Sequence, residues 1–279
     1  MTLDKEPSAS ARILAPILAG GRIAVLTGAG VSTESGIPDY RSPEAIARKR
    51  QPIHGPDFVR SAAVRQRYWA RAMVGWDRFR RAKPGPAHVA IAHLEARGLI
   101  RRVITQNVDR LHHAAGSRSV IELHGALAEV ICLACGLLED RDAHQSRLQD
   151  ANRDWEAAAG PAAPDGDAEL PDDAIAGFVV PACLRCGGTL KPHVVLFGEN
   201  VARAVVEDAF ASIDASEALL VAGTSLAVYS GYRFLRRAVE RGIPIVIVNR
   251  GPVRGQEHAA IKIEGSTGAV LQELARALE

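Results

Sequence analysis

The sequence predicts an α/β fold: a doubly wound parallel sheet with a small module inserted. Three observations point there. Short apolar runs alternate with longer amphipathic stretches, a glycine turn follows the first of those runs, and a segment flanked by two cysteine pairs interrupts the rhythm. Runs apolar on both faces are strands that helices cover on either side, and their alternation with helices builds a parallel sheet.

Strands are expected over residues 22–27 (RIAVLT), 102–105, 120–123, 218–222, 245–249 and 261–263, and helices over 58–74, 87–97, 201–214, 232–241 and 268–278. The second helix begins with Pro86 near its first turn and stops at Gly98, a sound start and stop. From Gly136 to Ala182 the pattern weakens. There DWEAAAGPAAPDGDAELPDD is rich in Pro, Gly, Ala and Asp, and it is read as a partly mobile loop within an insertion. The expected organisation is a tail over 1–19 and one large domain over 20–279, with the small domain inserted at about 126–192.

Apolar residues make up 47% of the 279 and charged residues 24%, which excludes a disordered chain. With 34 Lys plus Arg against 32 Asp plus Glu, the net charge of +2 excludes a polybasic nucleic-acid binder. No apolar run approaches the ~20 residues that span a bilayer. MTLDKEPSAS carries two acids and no apolar core, so no export signal is expected and the location expected is cytoplasmic.

The run RIAVLT leads directly into Gly28-Ala29-Gly30, a Rossmann-like turn. A glycine turn after a strand lets backbone approach a pyrophosphate, and a following helix would add N–H donors and a favourable dipole. Thr33 replaces the third glycine of the full fingerprint, and no acid ends a second strand about 20 residues on. The turn alone therefore fits either a nucleotide site or an ordinary strand-to-helix bend.

The cysteines are more specific. Cys132-x-x-Cys135 and Cys183-x-x-Cys186 are each followed by a glycine. Two such pairs supply four thiolates for one tetrahedral Zn²⁺ with no open position, which makes it structural. A redox pair would leave the second C-x-x-C unexplained.

A third constellation is TQNVDRLHHAAG (residues 105–116) followed by IELHG (121–125). Both stand at expected strand ends, the edge where α/β sheets place ligands. Gln106, Asn107 and Asp109 suit ribose hydroxyls and an amide, and His124 sits between a strand and a glycine that would expose its imidazole. Each also reads as a loop cap. In KPHVVLFGEN (191–200) the apolar, β-prone VVLF followed by Gly198 can accept an extended peptide or be a buried strand.

In this order GAGVSTESGIPDYRS, TQNVDRLHHAAG, ELHG, the cysteine knuckles, KPHVVLFGEN, GTSLAVYSG (223–231) and VNRGP (248–252) resemble the sirtuins, NAD-dependent protein-lysine deacylases. The resemblance covers about residues 20 to 279. DFVRSAAVRQRYWARAMVGW and SGYRF are similar to the class II branch, bacterial-type and close to the mitochondrial class II animal sirtuin.

The resemblance implies NAD as co-substrate, one structural Zn²⁺, and acylated-lysine proteins or peptides as partners, with neither membrane nor direct nucleic acid. Gly28, Ala29 and Gly30 would hold the pyrophosphate, with Thr33 and Glu34 on the adjoining turn. Ile37, Pro38, Asp39, Tyr40 and Arg41 would form a cofactor loop over the nicotinamide ribose. Gln106, Asn107 and Asp109 would contact ribose and carboxamide, Asn107 and Asp109 serving catalysis. Gly223, Thr224 and Ser225, with Asn249, Arg250 and Gly251, would hold the adenosine half, and Thr267 would lie near the adenine. His124 would be the general base. Residues 195–199, with Val195, Phe197, Gly198 and Glu199, would be the strand edge that receives the substrate.

In the reaction the resemblance implies, the acyl group would pass from lysine to ADP-ribose with release of nicotinamide. ADP-ribosyl transfer to protein, or removal of a lipoyl group, is the alternative within the family. Outside it stand an NAD oxidoreductase and a non-enzymatic zinc- and NAD-binding module. Tyr68 and Arg71, three apart on an expected helix, match the Tyr-x-x-Arg spacing by which desuccinylating sirtuins recognise an acidic acyl chain. The alternative reading pairs Arg71 with a surface carboxylate while Tyr68 packs in the core.

Overall fold

The computed structural model describes residues 2–4, 6–40, 52–155 and 166–279. In chain order the strands are β1 (Thr2–Asp4), β2 (Ile23–Thr27), β3 (Ile100–Thr105), β4 (Val120–Glu122), β5 (Gly125–Cys132), β6 (Leu138–Asp140), β7 (Leu190–Val194), β8 (Ala218–Ala222), β9 (Ile245–Asn249) and β10 (Ile261–Glu264). The described helices are α1 (Pro7–Leu18), α2 (Gly55–Arg60), α3 (Ala62–Arg80), α4 (Pro86–Ala96), α5 (Leu111–Ala114), α6 (Arg141–Ala151), α7 (Arg203–Asp214), α8 (Tyr229–Arg241) and α9 (Thr267–Ala277). They divide into two compact units.

The larger unit takes Met1–Gly36, Lys83–Leu123 and Val201–Glu279. Its seven strands run β1-β10-β9-β8-β2-β3-β4, every pair parallel. All residues of β2, β8 and β9 are buried, and the period of two sends alternate side chains to opposite faces. Ile23, Val25, Leu220, Val246 and Val248 pack with α1, α4 and α9. Ala24, Leu26, Leu219, Val221, Ile245 and Ile247 pack with α7 and α8. The sheet is thus doubly wound, as the continuous apolar runs require.

The first 19 residues, expected as a tail, instead carry β1, paired with β10, and α1, which packs on α9. Ala11, Leu14 and Leu18 recur on one face of that helix, and burying them gives the segment its place in the core.

The smaller unit takes Ile37–Ala82 and His124–Asn200. It holds an antiparallel sheet in the order β6-β5-β7 and the helices α2, α3 and α6. It is built from two chain segments, a wider span than the expected insertion, because Phe58, Tyr68 and Trp69 share a core with Val130, Leu148 and Phe178. The single helix expected over 58–74 is two, broken at the extended Ser61, whose hydroxyl caps α3 by accepting from Val64 N at 3.3 Å. The middle of the expected loop, 156–165, lies outside the described residues. Among those described, no helix is long and apolar enough to cross a membrane.

Candidate functional site

In the larger unit the polar residues singled out from the sequence gather at the C-terminal ends of β2, β3, β8 and β9. Gly28 and Gly30 are required there by close approach. A Cβ on Gly28 would lie 2.7 Å from the Thr224 Cβ, and one on Gly30 would lie 2.8 Å from Gly223 O. Gly30 N donates to that carbonyl at 2.8 Å. Two bare backbone loops therefore touch, which is what a pyrophosphate cradle needs. The helix expected to follow is replaced by two short 3₁₀ turns, Ala29–Val31 and Thr33–Ser35, so any donors come from individual N–H groups rather than from a sustained dipole.

Ser32, missed in the sequence, is buried at the centre of this cluster. Its hydroxyl donates to Asp109 Oδ2 at 2.6 Å and accepts from Asn107 Nδ2 at 3.0 Å. Asn107 Nδ2 also donates to Gly28 O at 3.1 Å, and Asp109 Oδ1 accepts from Leu111 N at 2.9 Å. Gln106 Nε2 donates to Thr27 O at 3.1 Å and to Thr224 Oγ1 at 3.0 Å, tying β2, β3 and β8 together.

Beneath lie two buried imidazoles that sequence reasoning also missed. His88 Nδ1 accepts from Gly85 N at 3.1 Å, which leaves its proton on Nε2, 3.4 Å from Ser32 Oγ. Burial lowers the His88 pKa, against the opposing charges of Asp109 and Glu34. His112, bonded to Thr27 Oγ1 at 2.9 Å, is pushed down to about 3 by burial and then by His88 and His113. Only a sequence signal of polar residues at core-facing helix positions could have found this pair.

Thr33 Oγ1 donates to Gly30 O at 3.0 Å. Glu34 accepts from Ser266 Oγ at 2.6 Å beside the start of α9, where Thr267 is buried. A Cβ on Gly268 would meet the Glu34 carboxylate at 1.9 Å. Asn249 Nδ2 donates to Arg250 O at 2.7 Å and Gly251 O at 3.3 Å. Gly251 N donates to Glu264, whose Oε2 also lies 2.8 Å from Lys262 Nζ. Burial raises the Glu264 pKa, but Lys262 and the Gly251 N–H outweigh it and hold the carboxyl below its ordinary range.

In the smaller unit His124 is half-buried. Its carbonyl accepts from Val195 N at 2.9 Å, and Gly125 follows at φ +74°, where a Cβ would lie 2.1 Å from His193 O. Ile37, Pro38, Asp39 and Tyr40 belong to this unit, while Arg41 lies outside the described residues.

The four cysteines converge. Cys132 and Cys186 Sγ are 3.5 Å apart, Cys135 and Cys183 Sγ 3.8 Å, and all four sulfurs lie within 4.8 Å of one another. A tetrahedron with Zn–S bonds of ~2.3 Å has edges of ~3.8 Å, so the donor set fits zinc. Gly136 and Gly187, both at φ +69°, turn the chain after each knuckle.

Two expectations change. The strand ends at Val194 rather than covering 195–199; among those residues only Phe197 forms a bridge, to His54. Gly198 at φ +80° turns the chain, and Leu196 N donates to the Glu199 carboxylate at 2.8 Å in place of a strand partner. Arg71 is buried, its Nε donating to Ala168 O at 3.1 Å and lying 3.4 Å from Asp167 Oδ2. Its partner carboxylate is itself buried, not on the surface. Tyr68 is buried edge-on to Phe58 and Trp69.

A family model described as the Sir2 family matches residues 28–230. An NAD-dependent protein deacetylase of Xanthomonas axonopodis pv. citri (strain 306) is 51% identical over 250 residues, covering 90% of this chain and 85% of its own. An NAD-dependent protein lipoamidase sirtuin-4, mitochondrial, of Bos taurus is 49% identical over 253 residues, covering 90% and 80%. A solved Sir2 structure with a deacetylated p53 peptide and 3'-O-acetyl ADP ribose is similar at TM-score 0.78 and 30% identity, covering 95% of this chain and 97% of that one.

Proposed function

The chain belongs to the Sir2 family, and from that premise we propose how its residues divide the work of deacylation. It is an NAD-dependent protein-lysine deacylase, transferring the acyl group to ADP-ribose with release of nicotinamide. The single observation that carries the division of roles is the Ser32–Asn107–Asp109 cluster against the Gly28 carbonyl.

NAD supplies the ribosyl carbon that the acyl oxygen attacks as nicotinamide departs. The chain's residues bind, orient and move protons around that event. The backbone of Gly28, Ala29 and Gly30 takes the pyrophosphate, while Gly223, Thr224 and Ser225, with Asn249, Arg250, Gly251 and Thr267, hold the adenosine half. Both Asn107 amide protons are committed to Gly28 O and Ser32 Oγ, so Oδ1 is left to accept from a ribose hydroxyl. Asp109 takes one donor on each oxygen, which fixes its carboxylate; a charge preorganised in this way would stabilise positive charge developing at a bound ribose without reorganising. His124 takes the proton of a ribose hydroxyl as general base, a role worth ~10²–10⁴-fold. The cysteines hold zinc as a structural ion.

The substrate is an acyl-lysine peptide received along 195–198 by backbone pairing. The bonding of Arg71 to Asp167 and Ala168 O supports a structural role for this guanidinium over recognition of an acidic acyl chain. Four reduced thiols at a metal site support a cytoplasmic location. Mass spectrometry of products from acyl-lysine peptides with NAD tests the whole reading: nicotinamide and an O-acyl-ADP-ribose are expected, and NADH or ADP-ribosylated peptide as the main product would overturn it.

A further inference from the structure

The segment after β7 is held by one ion pair that spans it. Lys191, in β7, is 8% exposed at its side chain, and its Nζ lies 2.9 Å from Glu199 Oε2 while donating to Val194 O at 2.5 Å. The same Glu199 oxygen accepts from Leu196 N at 2.8 Å, and Glu199 N donates back to Leu196 O at 3.0 Å. Between these anchors Gly198 turns at φ +80°. On the far side Gly55 N donates to Phe197 O at 2.9 Å. A Cβ on Gly55 would stand 2.3–2.6 Å from the Glu199 side chain, so only glycine admits the carboxylate there.

We propose that Lys191 and Glu199 are positioning residues that set the shape of the 195–198 edge on which the acyl-lysine peptide pairs, with Gly55 the fixed wall behind Glu199. The proposal rests on the reading that this edge receives the peptide. The residues lie at the two ends of the segment, and the carboxylate takes the Leu196 N–H that a continuing strand would have offered to a neighbour. That bond stands just beyond the end of β7 at Val194. A peptide pairing by main-chain bonds depends on the register of its template, so loosening the anchors weakens peptide binding first.

The test is steady-state deacylation by the full-length zinc-loaded protein with one acetyl-lysine peptide. Glu199→Gln keeps an acceptor for Leu196 N but leaves a buried ammonium without its counter-charge. Lys191→Met/Glu199→Met removes both charges with similar volume, an exchange buried pairs often tolerate, and so guards against a variant that fails to fold. The peptide KM is expected to rise at least fivefold in both, with the NAD KM changed less than twofold. Variants that melt like wild type and keep the wild-type peptide KM overturn the proposal, as does a rise shared equally by the NAD KM. In parallel, wild type is assayed with a peptide whose backbone amide beside the acyl-lysine is an ester. A raised KM supports pairing at the edge, and an unchanged one sinks the edge reading itself, whatever the variants do.

Discussion

Replacing Arg71 with Met separates a structural from a recognition role. Its partner Asp167 is 2% exposed at the side chain and Arg71 11%. Removing one member of such a pair leaves an uncompensated charge, a loss of ~3–5 kcal/mol. The 3.4 Å separation exceeds that of a tight charge-assisted bond, so the low end applies, about 3 kcal/mol. At ~2–4 °C per kcal/mol for a protein of this size, the melting temperature drops by roughly 6–12 °C. Acyl selectivity responds differently. If the guanidinium instead held the terminal carboxylate of a succinyl chain, its loss would remove ~1.5–3 kcal/mol, a ten- to hundredfold fall in the succinyl-to-acetyl ratio of kcat/KM. The expected result is a clear loss of thermal stability with that ratio moved less than about threefold, measured on acetyl-, succinyl-, glutaryl- and lipoyl-lysine versions of one peptide. A tenfold fall in the ratio with unchanged melting would refute the argument.

His124→Ala is expected to lower deacylation by at least ~10²-fold while calorimetry finds NAD binding nearly intact; retention of a tenth of the wild-type rate removes it as the base. Cys132→Ala leaves three sulfur ligands, so metal analysis should find zinc lost and solubility reduced, and a zinc-free preparation that is fully folded and active contradicts a structural role. Acid sensitivity follows from His112 and from His144, which burial and then Arg141 and Arg147 also push down to about 3. Both are neutral when folded, and the unfolded chain takes up protons below about pH 6.5. Their contribution is therefore absent above that pH, and stability falls as pH drops through the window from about 6.5 toward 3. Each costs about 1.4 kcal/mol by pH 5.5. Chemical denaturation at pH 7 and 5.5 should show this, and His144→Gln should make the fall shallower; an equal fall in the variant refutes the assignment.

The continuous apolar runs by themselves determined six of the seven strands of the larger unit's sheet, all but β1. A run such as ALLVA or IVIVN has no polar face, so it must be covered on both sides, and its ends are legible to within about two residues. The cysteine pairs likewise determined a zinc site, since four thiolates in two knuckles have few other uses. Gln106, Asn107, Asp109 and His124 stood out because polar side chains cluster at strand ends. The tertiary structure alone decided what those groups bond. Ser32, His88 and His112 are ordinary residues until three separate segments bring them into one buried cluster. Arg71 shows the same limit from the other side. Its spacing to Tyr68 is local and readable, but Asp167, which balances its charge, lies 96 positions away in a stretch of weak pattern. Periodicity reports which side of an element faces the core, and it carries no information on which distant charge arrives to meet it there.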